Sequence, residues 1–252
     1  MNFKILTKEY LAEDIVSMWI KADDAIKKPQ AGQFVSIYTD SKSELLPRPI
    51  SICDAAEDDS MRIVFRIVGK GTKELAEKNP GDNVRALGPL GNGYGEFLDK
   101  GKKALVIGGG IGIPPMLLLS KVLKCEKNIV LGYRDFLFME NDFADYGDVH
   151  IATENGMCGT KGNVIDAIKA SGIEADVIYA CGPMPMLKGI KAYAEENNIQ
   201  AYVSLEEKMA CGIGACLACV CKTNDIDSHS MVKNKRICKD GPVFDVTEVD
   251  FS

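Results

Sequence analysis

Histidine and long apolar runs are scarce in this 252-residue sequence. The two histidines, His150 and His229, stand far apart and form no recognisable serine–histidine–aspartate arrangement, so we expect them to be structural or exposed rather than catalytic. The most apolar stretch, residues 104–119, is interrupted by several glycines and by two prolines, which excludes a clean membrane-spanning helix. The first residues show no apolar region of the secretory type. These absences favour a soluble, cytoplasmic protein.

Basic residues are also in deficit. The formal net charge is -6 and the sequence pI is about 5.1, which argues against a partner held through its phosphate backbone, such as nucleic acid. With 46% hydrophobic residues, a chain of this length can bury a full core, and we expect two domains and a cysteine module. We predict domains at residues 1–100, 101–205 and 206–252.

Nine cysteines are present, an odd number that does not fit a fully paired disulfide framework. Cys211, Cys216 and Cys219 follow a C-x4-C-x2-C spacing in a loop of small residues, and Cys238 stands further on. This is a [2Fe-2S] ligand pattern, because two sulfide-bridged irons need four thiolates. The glycines and alanines of the loop let its backbone curl around an inorganic core. The pattern therefore predicts single-electron transfer.

A structural zinc site, a disulfide framework and ordinary buried cysteines are the alternatives to a cluster. Structural zinc sites usually pair their ligands in two short C-x2-4-C knuckles. Here three cysteines share one loop and the fourth stands nearly twenty residues away. Cys221 could replace Cys219 as a ligand, but the C-x4-C-x2-C register is complete without it.

Short alternating or β-branched runs recur in the first hundred residues, separated by Pro, Gly, Asp or Asn. Arg48 lies between two prolines and is followed by a hydroxyl at Ser51, while Gly71 and Thr72 begin a short helix whose free amides suit a phosphate. The runs predict strands at residues 3–8, 15–20, 34–39, 50–53, 62–68 and 83–87. Many short strands of this kind are typical of an all-β antiparallel barrel.

From residue 102 onward, strands and helices alternate, which is typical of an α/β domain with a parallel sheet. The first strand ends in a glycine-rich loop, residues 108–112, which suits a pyrophosphate at a helix start. A later strand ends in C-G-P at residues 181–183. Arg134, and not an acidic residue, closes the second strand, so the choice between NAD and NADP stays open. We predict strands at residues 104–107, 129–133, 148–152, 175–180 and 200–205, and helices at 114–123, 164–170 and 184–196.

The R-x-x-S and G-x-G-T patterns around Arg48 and Thr72 resemble the flavin-binding signature of the ferredoxin reductase superfamily. The resemblance implies that Arg48 and the helix start hold the FAD diphosphate, that Ser51 lies near the flavin ring, and that Cys181 lies where the nicotinamide approaches it. Ile50 occupies the position at which the superfamily often has a flavin-stacking tyrosine. The implied cofactor-binding residues are Arg48, Pro49, Ile50, Ser51, Val64, Phe65, Arg66, Gly71, Thr72, Gly109, Gly110, Gly112, Cys181, Gly182 and Pro183.

Over essentially its whole length, the chain also resembles the electron-transfer subunits of the dihydroorotate dehydrogenase B family. The most specific part is E-E-K-M-A-C-G-I-G-A-C at residues 206–216. In that family a separate FMN-containing subunit oxidises dihydroorotate to orotate, and electrons pass through a [2Fe-2S] cluster and FAD to NAD+ in pyrimidine (UMP) biosynthesis. The resemblance implies the same cofactors and a heterotetramer with two copies of each subunit.

Two other functions remain open at this point. The same modules would serve the FAD and [2Fe-2S] subunit of an NADPH-linked ferredoxin or sulfur reductase, and a regulatory or zinc-stabilised binding protein could use a reductase fold. An electron relay must dock to a partner. Met209, Ile213 and Leu217, beside the cysteines, could face that partner or shield the cluster.

Overall fold

A closed antiparallel barrel forms the first part of the chain. The structure is a computed structural model that describes residues 1–41, 44–98, 100–224, 226 and 231–251. The barrel strands are β1 (Asn2–Ala12), β2 (Ile15–Ala22), β3 (Phe34–Tyr38), β4 (Arg48–Ala55), β5 (Met61–Arg66) and β6 (Asn83–Leu90), in the order β1-β2-β5-β4-β3-β6. Helix α1 (Lys70–Glu77) connects β5 to β6. The predicted all-β antiparallel barrel is confirmed.

A parallel sheet with helices follows the barrel, as the alternating pattern predicted. Its strands are β7 (Lys103–Gly109), β8 (Glu126–Tyr133), β9 (Asp148–Thr153), β10 (Thr160–Lys161), β11 (Val177–Cys181) and β12 (Gln200–Ser204), and its helices are α2 (Pro114–Val122), α3 (Val164–Ala170) and α4 (Met184–Asn197). The strand order β10-β9-β8-β7-β11-β12 places β7 at the centre. Short 3-10 helices lie at Gly95–Phe97, Gly110–Gly112 and Glu140–Phe143.

The C-terminal segment is tied to both preceding units. It contains the hairpin strands β13 (Val220–Lys222) and β14 (Asn234–Arg236), and then β15 (Val243–Asp245). β15 pairs antiparallel with β12 and so extends the parallel sheet. Asn92, just after β6, donates its amide to the Gly241 carbonyl at 2.7 Å and its side chain to the Lys239 carbonyl at 2.9 Å. The domain boundaries remain predictions, but β15 belongs to the same sheet as β12.

Helix α2 joins the barrel to the parallel sheet. Proline at its first positions is compatible with a helix start, and residues 114–120 are buried because α2 packs against β4 on one side and β7 on the other. Lys121 Nζ reaches across to Asp54 Oδ2 at 2.5 Å, and the Asp54 side chain is 9% exposed. Arg62 Nη1 lies 2.6 Å from Asp142 Oδ1 across the same interface. Apolar packing and two ion pairs therefore hold the units together.

None of the helices in the described ranges has both the length and the apolar character needed to cross a bilayer.

Replacing Lys121 with methionine is expected to lower the free energy of unfolding by about 1–3 kcal/mol. The change keeps most of the side-chain bulk but leaves the buried Asp54 carboxylate without its cation. Denaturant titration measures the effect. Lys21→Met is the matched control, because both side chains of the Lys21–Asp58 pair are exposed and its loss should leave the unfolding midpoint unchanged. Equal effects in the two variants would contradict the assigned role of the interface pair.

Candidate functional site

The four predicted metal ligands lie together beside the C-terminal hairpin. Cys211, Cys216 and Cys219 belong to the loop between β12 and β13, and Cys238 follows β14. Cys219 and Cys238 are buried, Cys211 is half-buried and Cys216 is exposed, and none of the nine cysteines forms a disulfide. The loop turns sharply because Gly212 adopts a φ of 69°, which glycine reaches without strain.

The thiols of Cys219 and Cys238 are neighbours, since the amide of Cys238 donates to Cys219 Sγ at 3.4 Å. Cys211 and Cys216 lie in the same short loop. Among the residues that the structure describes, no group of three or more His, Cys, Asp and Glu side chains is placed to hold one metal ion. A di-iron centre requires four thiolates, two for each iron. Four cysteines in this part of the chain match the ligand number of a [2Fe-2S] centre.

Backbone amides of the loop are directed at the sulfurs. Gly214 N lies 3.1 Å from Cys238 Sγ and Ala215 N lies 3.3 Å from Cys211 Sγ. Burial acts to raise the pKa of the Cys211 thiol, but hydrogen bonds from the Ile213 amide and from neighbouring groups outweigh it and lower that pKa to about 6. Burial and the adjacent thiol raise the pKa of Cys238 to about 12, so metal binding there releases a proton at neutral pH.

The β13–β14 hairpin contacts the cluster loop through Arg236. Arg236 donates from Nε to Asp240 at 2.9 Å and from Nη2 to the same carboxylate at 3.0 Å, and it also reaches the Gly214 carbonyl at 3.4 Å. Cys221 donates from Sγ to the Lys235 carbonyl at 3.5 Å, and burial raises its pKa to about 11. These contacts occupy Cys221 within the β13–β14 pair and favour Cys219 as the ligand.

The apolar residues beside the cysteines divide into two groups. Met209 is 6% exposed and packs in the core between the sheet and the C-terminal segment, whereas Ile213 and Leu217 are 55% and 54% exposed. Met209 therefore lies on the buried side of the loop. Ile213 and Leu217 present an apolar surface next to the exposed Cys216.

An arginine that is paired with Glu44 lies at the start of helix α1. The Arg48 guanidinium sits directly against Gly71, where any Cβ would overlap it, and it is held there by Glu44 and by the Leu46 carbonyl. The N-cap residue, Gly69, brings no side chain that could occupy the amides of the first turn. A positive charge beside free helix amides suits a diphosphate, so these residues fit the diphosphate of FAD.

The other predicted flavin residues have less direct positions. Thr72 Oγ1 accepts hydrogen bonds from the amides of Val68 and Gly69 at 3.0 and 3.2 Å, so its hydroxyl closes the helix start. Pro49 and Ser51 are half-buried on β4, and Ile50, Val64 and Phe65 are buried side chains of the barrel. Any contact of these three with a ligand would therefore be made largely by the main chain.

Two motifs that are distant in sequence meet at the carboxyl edge of the parallel sheet. Strands β7 and β11 are neighbours, and Cys181 pairs with Gly108. Gly112 lies so close to the backbone of Cys181 and Gly182 that a Cβ would overlap it, and Gly109 packs in the same way on Met186. Ligands of such sheets bind outside the carboxyl ends of the strands. The glycine loop and the C-G-P turn, with Pro183, thus lie together at one edge of the sheet, where a nucleotide would fit.

A cleft of about 140 Å³ lies between the barrel and this edge. Arg66, Gly110 and Arg134 line it, together with Asp14 and Asp135, which the sequence analysis did not single out. Arg66 Nε lies 3.1 Å from Asp14 Oδ2, while Asp14 Oδ1 is buried without a hydrogen-bond partner among the described residues. Asp135 could have been found from its position just after the second strand, where an acidic residue binds the ribose of NAD.

His150 lies outside these sites. His150 Nε2 lies 3.0 Å from Asn128 Oδ1, between β9 and β8, which is a structural contact. His229 falls outside the described residues.

Comparisons with known proteins agree with this geometry. Residues 206–250 match the family described as the iron-sulfur cluster binding domain of dihydroorotate dehydrogenase B, and residues 1–87 match a FAD-binding domain. The dihydroorotate dehydrogenase B (NAD(+)) electron transfer subunit of Bacillus mycoides is 42% identical and covers 98% of this chain and 97% of its own length. The corresponding subunit of Caldanaerobacter subterraneus is 40% identical, with coverages of 100% and 98%.

Solved structures give the same fold. The structure of the NADH-dependent reduced ferredoxin-NADP oxidoreductase matches with a TM-score of 0.86 and 31% identity, over 98% of this chain and 89% of that one. Phthalate dioxygenase reductase, at 17% identity and a TM-score of 0.64, shares the fold alone. The chain thus has a ferredoxin reductase-like fold with a FAD-binding barrel and a C-terminal iron–sulfur domain, and it belongs to the family of dihydroorotate dehydrogenase B (NAD(+)) electron-transfer subunits.

Proposed function

We propose that this chain passes electrons from an FMN-containing, dihydroorotate-oxidising subunit through a [2Fe-2S] cluster and FAD to NAD+, in pyrimidine (UMP) synthesis in the cytoplasm. The observation that carries the proposal is the packing of the cysteine loop on the flavin-binding barrel. Gly212 contacts Ser36 of β3 and Leu90 of β6, and β3 pairs with the strand that bears Arg48. The cysteine loop therefore lies one strand away from β4, the strand that bears Arg48.

The residues divide the work among three cofactors. Arg48 and the first-turn amides of α1 bind the FAD diphosphate, the glycine loop and the C-G-P turn orient the nicotinamide nucleotide, and the four cysteines hold the irons. A bound flavin exchanges electrons either as a pair, as NAD requires, or singly, as an iron–sulfur centre requires. The chain's own contribution is to hold these groups close together in this order.

The exposed apolar surface of Ile213 and Leu217 is the proposed docking site for the catalytic subunit. Both side chains are more than half exposed and flank Cys216, the one exposed cysteine among the proposed ligands. Burying them against the partner would exclude water from the cluster and bring the partner's flavin close to it. We propose that two copies of each subunit form the complex.

The function is tested by purifying the chain together with its catalytic subunit and measuring dihydroorotate-dependent reduction of NAD+. We expect activity only with both subunits present, together with iron, sulfide, FAD and FMN in the complex. The similarity to the ferredoxin-NADP oxidoreductase structure supports a second candidate, an NADPH-linked ferredoxin reductase subunit. NADPH-dependent ferredoxin reduction without any dihydroorotate-linked activity would favour that candidate.

Replacing Cys216 with serine is expected to abolish the [2Fe-2S] absorption and most of the bound iron, because one iron loses a thiolate ligand. NADH oxidation with an artificial two-electron acceptor should persist, since the flavin and nucleotide residues are unchanged. Cys221→Ser is the matched control and should retain its iron, because Cys221 is bound to the Lys235 carbonyl. Full iron content in the Cys216 variant would show that the ligand assignment is wrong.

Replacing Asp135 with serine is expected to raise kcat/KM for NADPH relative to NADH by about tenfold. The carboxylate lines the cleft beside Arg134 and repels a 2′-phosphate, which Arg134 can bind once the carboxylate is removed. Steady-state kinetics with both nucleotides measure the ratio. Glu126→Ser makes the same charge change at the opposite end of β8 and should leave the ratio unchanged. An unaltered ratio in the Asp135 variant would place the ribose elsewhere.

A further inference from the structure

A buried hydroxyl lies without a hydrogen-bond partner on the outer face of the barrel. Ser36, in the middle of β3, is 0% exposed, and its Oγ has no hydrogen-bond partner among the described residues. Its strand neighbours Val35 and Ile37 belong to the barrel core, so Ser36 points to the opposite side. Buried hydroxyls are nearly always hydrogen-bonded, because burial removes the water that would otherwise pair with them. The site is therefore incomplete without a further acceptor.

The cluster loop is what covers Ser36. A Cβ built on Gly212 would lie 2.9 Å from Ser36 Oγ and 3.3 Å from Leu90 Cδ1, and Gly212 directly follows Cys211 in the chain. On the strand side, Ser36 pairs with Pro49 of β4. The hydroxyl thus lies between the flavin-binding strand and the first proposed ligand of the cluster.

We propose that Ser36 Oγ donates a hydrogen bond to a sulfur of the iron–sulfur centre, on the side held by Cys211, and thereby raises the centre's reduction potential. The inference rests on the proposed assignment of the four cysteines. A thiolate or sulfide accepts hydrogen bonds, and hydrogen bonds to the sulfurs are among the factors that set the potential of such centres. A donor stabilises the reduced state more, because that state carries the additional negative charge.

This contact differs from the other hydrogen bonds to the sulfurs. The Ala215 amide donates to Cys211 within the cluster loop, and the Gly214 amide donates to Cys238 beyond the hairpin, so both contacts form within the C-terminal segment. Ser36 belongs to the barrel, so its hydrogen bond forms only while the loop is seated on the barrel. The residue therefore links the potential of the centre to its docking beside the flavin.

The test compares Ser36→Ala, Ser36→Cys and a control, Ser120→Ala, in the complete complex. Ser120 is also a buried serine, but its Oγ is satisfied by the Met116 carbonyl at 2.8 Å within α2. Iron content, the one-electron potential of the centre from an EPR-monitored titration, and the shift of its Fe–S Raman bands in D2O are measured for each variant.

We expect Ser36→Ala to lower the reduction potential of the centre by up to 59 mV, which corresponds to a tenfold change in the reduced-to-oxidised ratio for one electron. The shift of its Fe–S Raman bands in D2O should become smaller. Ser36→Cys should show a smaller change in the same direction, because a thiol is a weaker donor, and it supplies the measurement if the alanine variant loses its iron. Ser120→Ala should match the wild type in all three measurements.

An unchanged potential and D2O shift in an iron-replete Ser36→Ala variant would overturn the proposal. A shift confined to the flavin's absorption or potential would also overturn it, because the hydroxyl would then serve the flavin. If the wild-type complex itself contained no iron and gave no EPR signal, the cluster assignment would be wrong. That result distinguishes failure of the cluster assignment from failure of the Ser36 proposal, which is judged on iron-replete protein.

Discussion

Contact between the cluster loop and the barrel is the constraint on which the rest of the arrangement depends. Electron transfer weakens steeply with distance, so the cysteine loop must lie close to the FAD-binding barrel. Gly212 makes this possible because it is buried at a φ of 69° against Ser36 and Leu90, where a side chain would be both strained and obstructed. Asn92 holds the same junction through its bonds to Gly241 and Lys239.

The other interfaces also keep the C-terminal segment, the parallel sheet and the barrel close together. β15 pairs with β12 and anchors the C-terminal segment in the parallel sheet, so the end of that segment is fixed beside β12. Helix α2 is buried between that sheet and the barrel, and the Lys121–Asp54 and Arg62–Asp142 pairs cross the interface. Pairing matters here because a carboxylate buried without a cation would be strongly unfavourable. The cleft between the units is a consequence of this fixed orientation.

Much of the fold was predictable because its signals are local. Each barrel strand is bounded by turn-forming residues, and each helix of the parallel domain has an evident start, such as the prolines of α2 or the asparagine cap of α3. The strands that were missed, β10 and β13 to β15, have two or three residues each, which is too short for a periodic pattern. Their pairing depends on partners distant in the chain.

By itself, the sequence determined the chemistry. The motifs that indicate it can each be recognised from short stretches of sequence: the C-x4-C-x2-C spacing with Cys238, the arginine before Ser51, and the glycine loop. Only the tertiary structure decided which residues share a site. It buried Met209 while exposing Ile213, brought Asp14 and Asp135 into one cleft, and left the hydroxyl of Ser36 without a partner beneath the cysteine loop. The physical reason is that burial and unmet hydrogen bonds are properties of contacts between distant segments, and no local pattern records them.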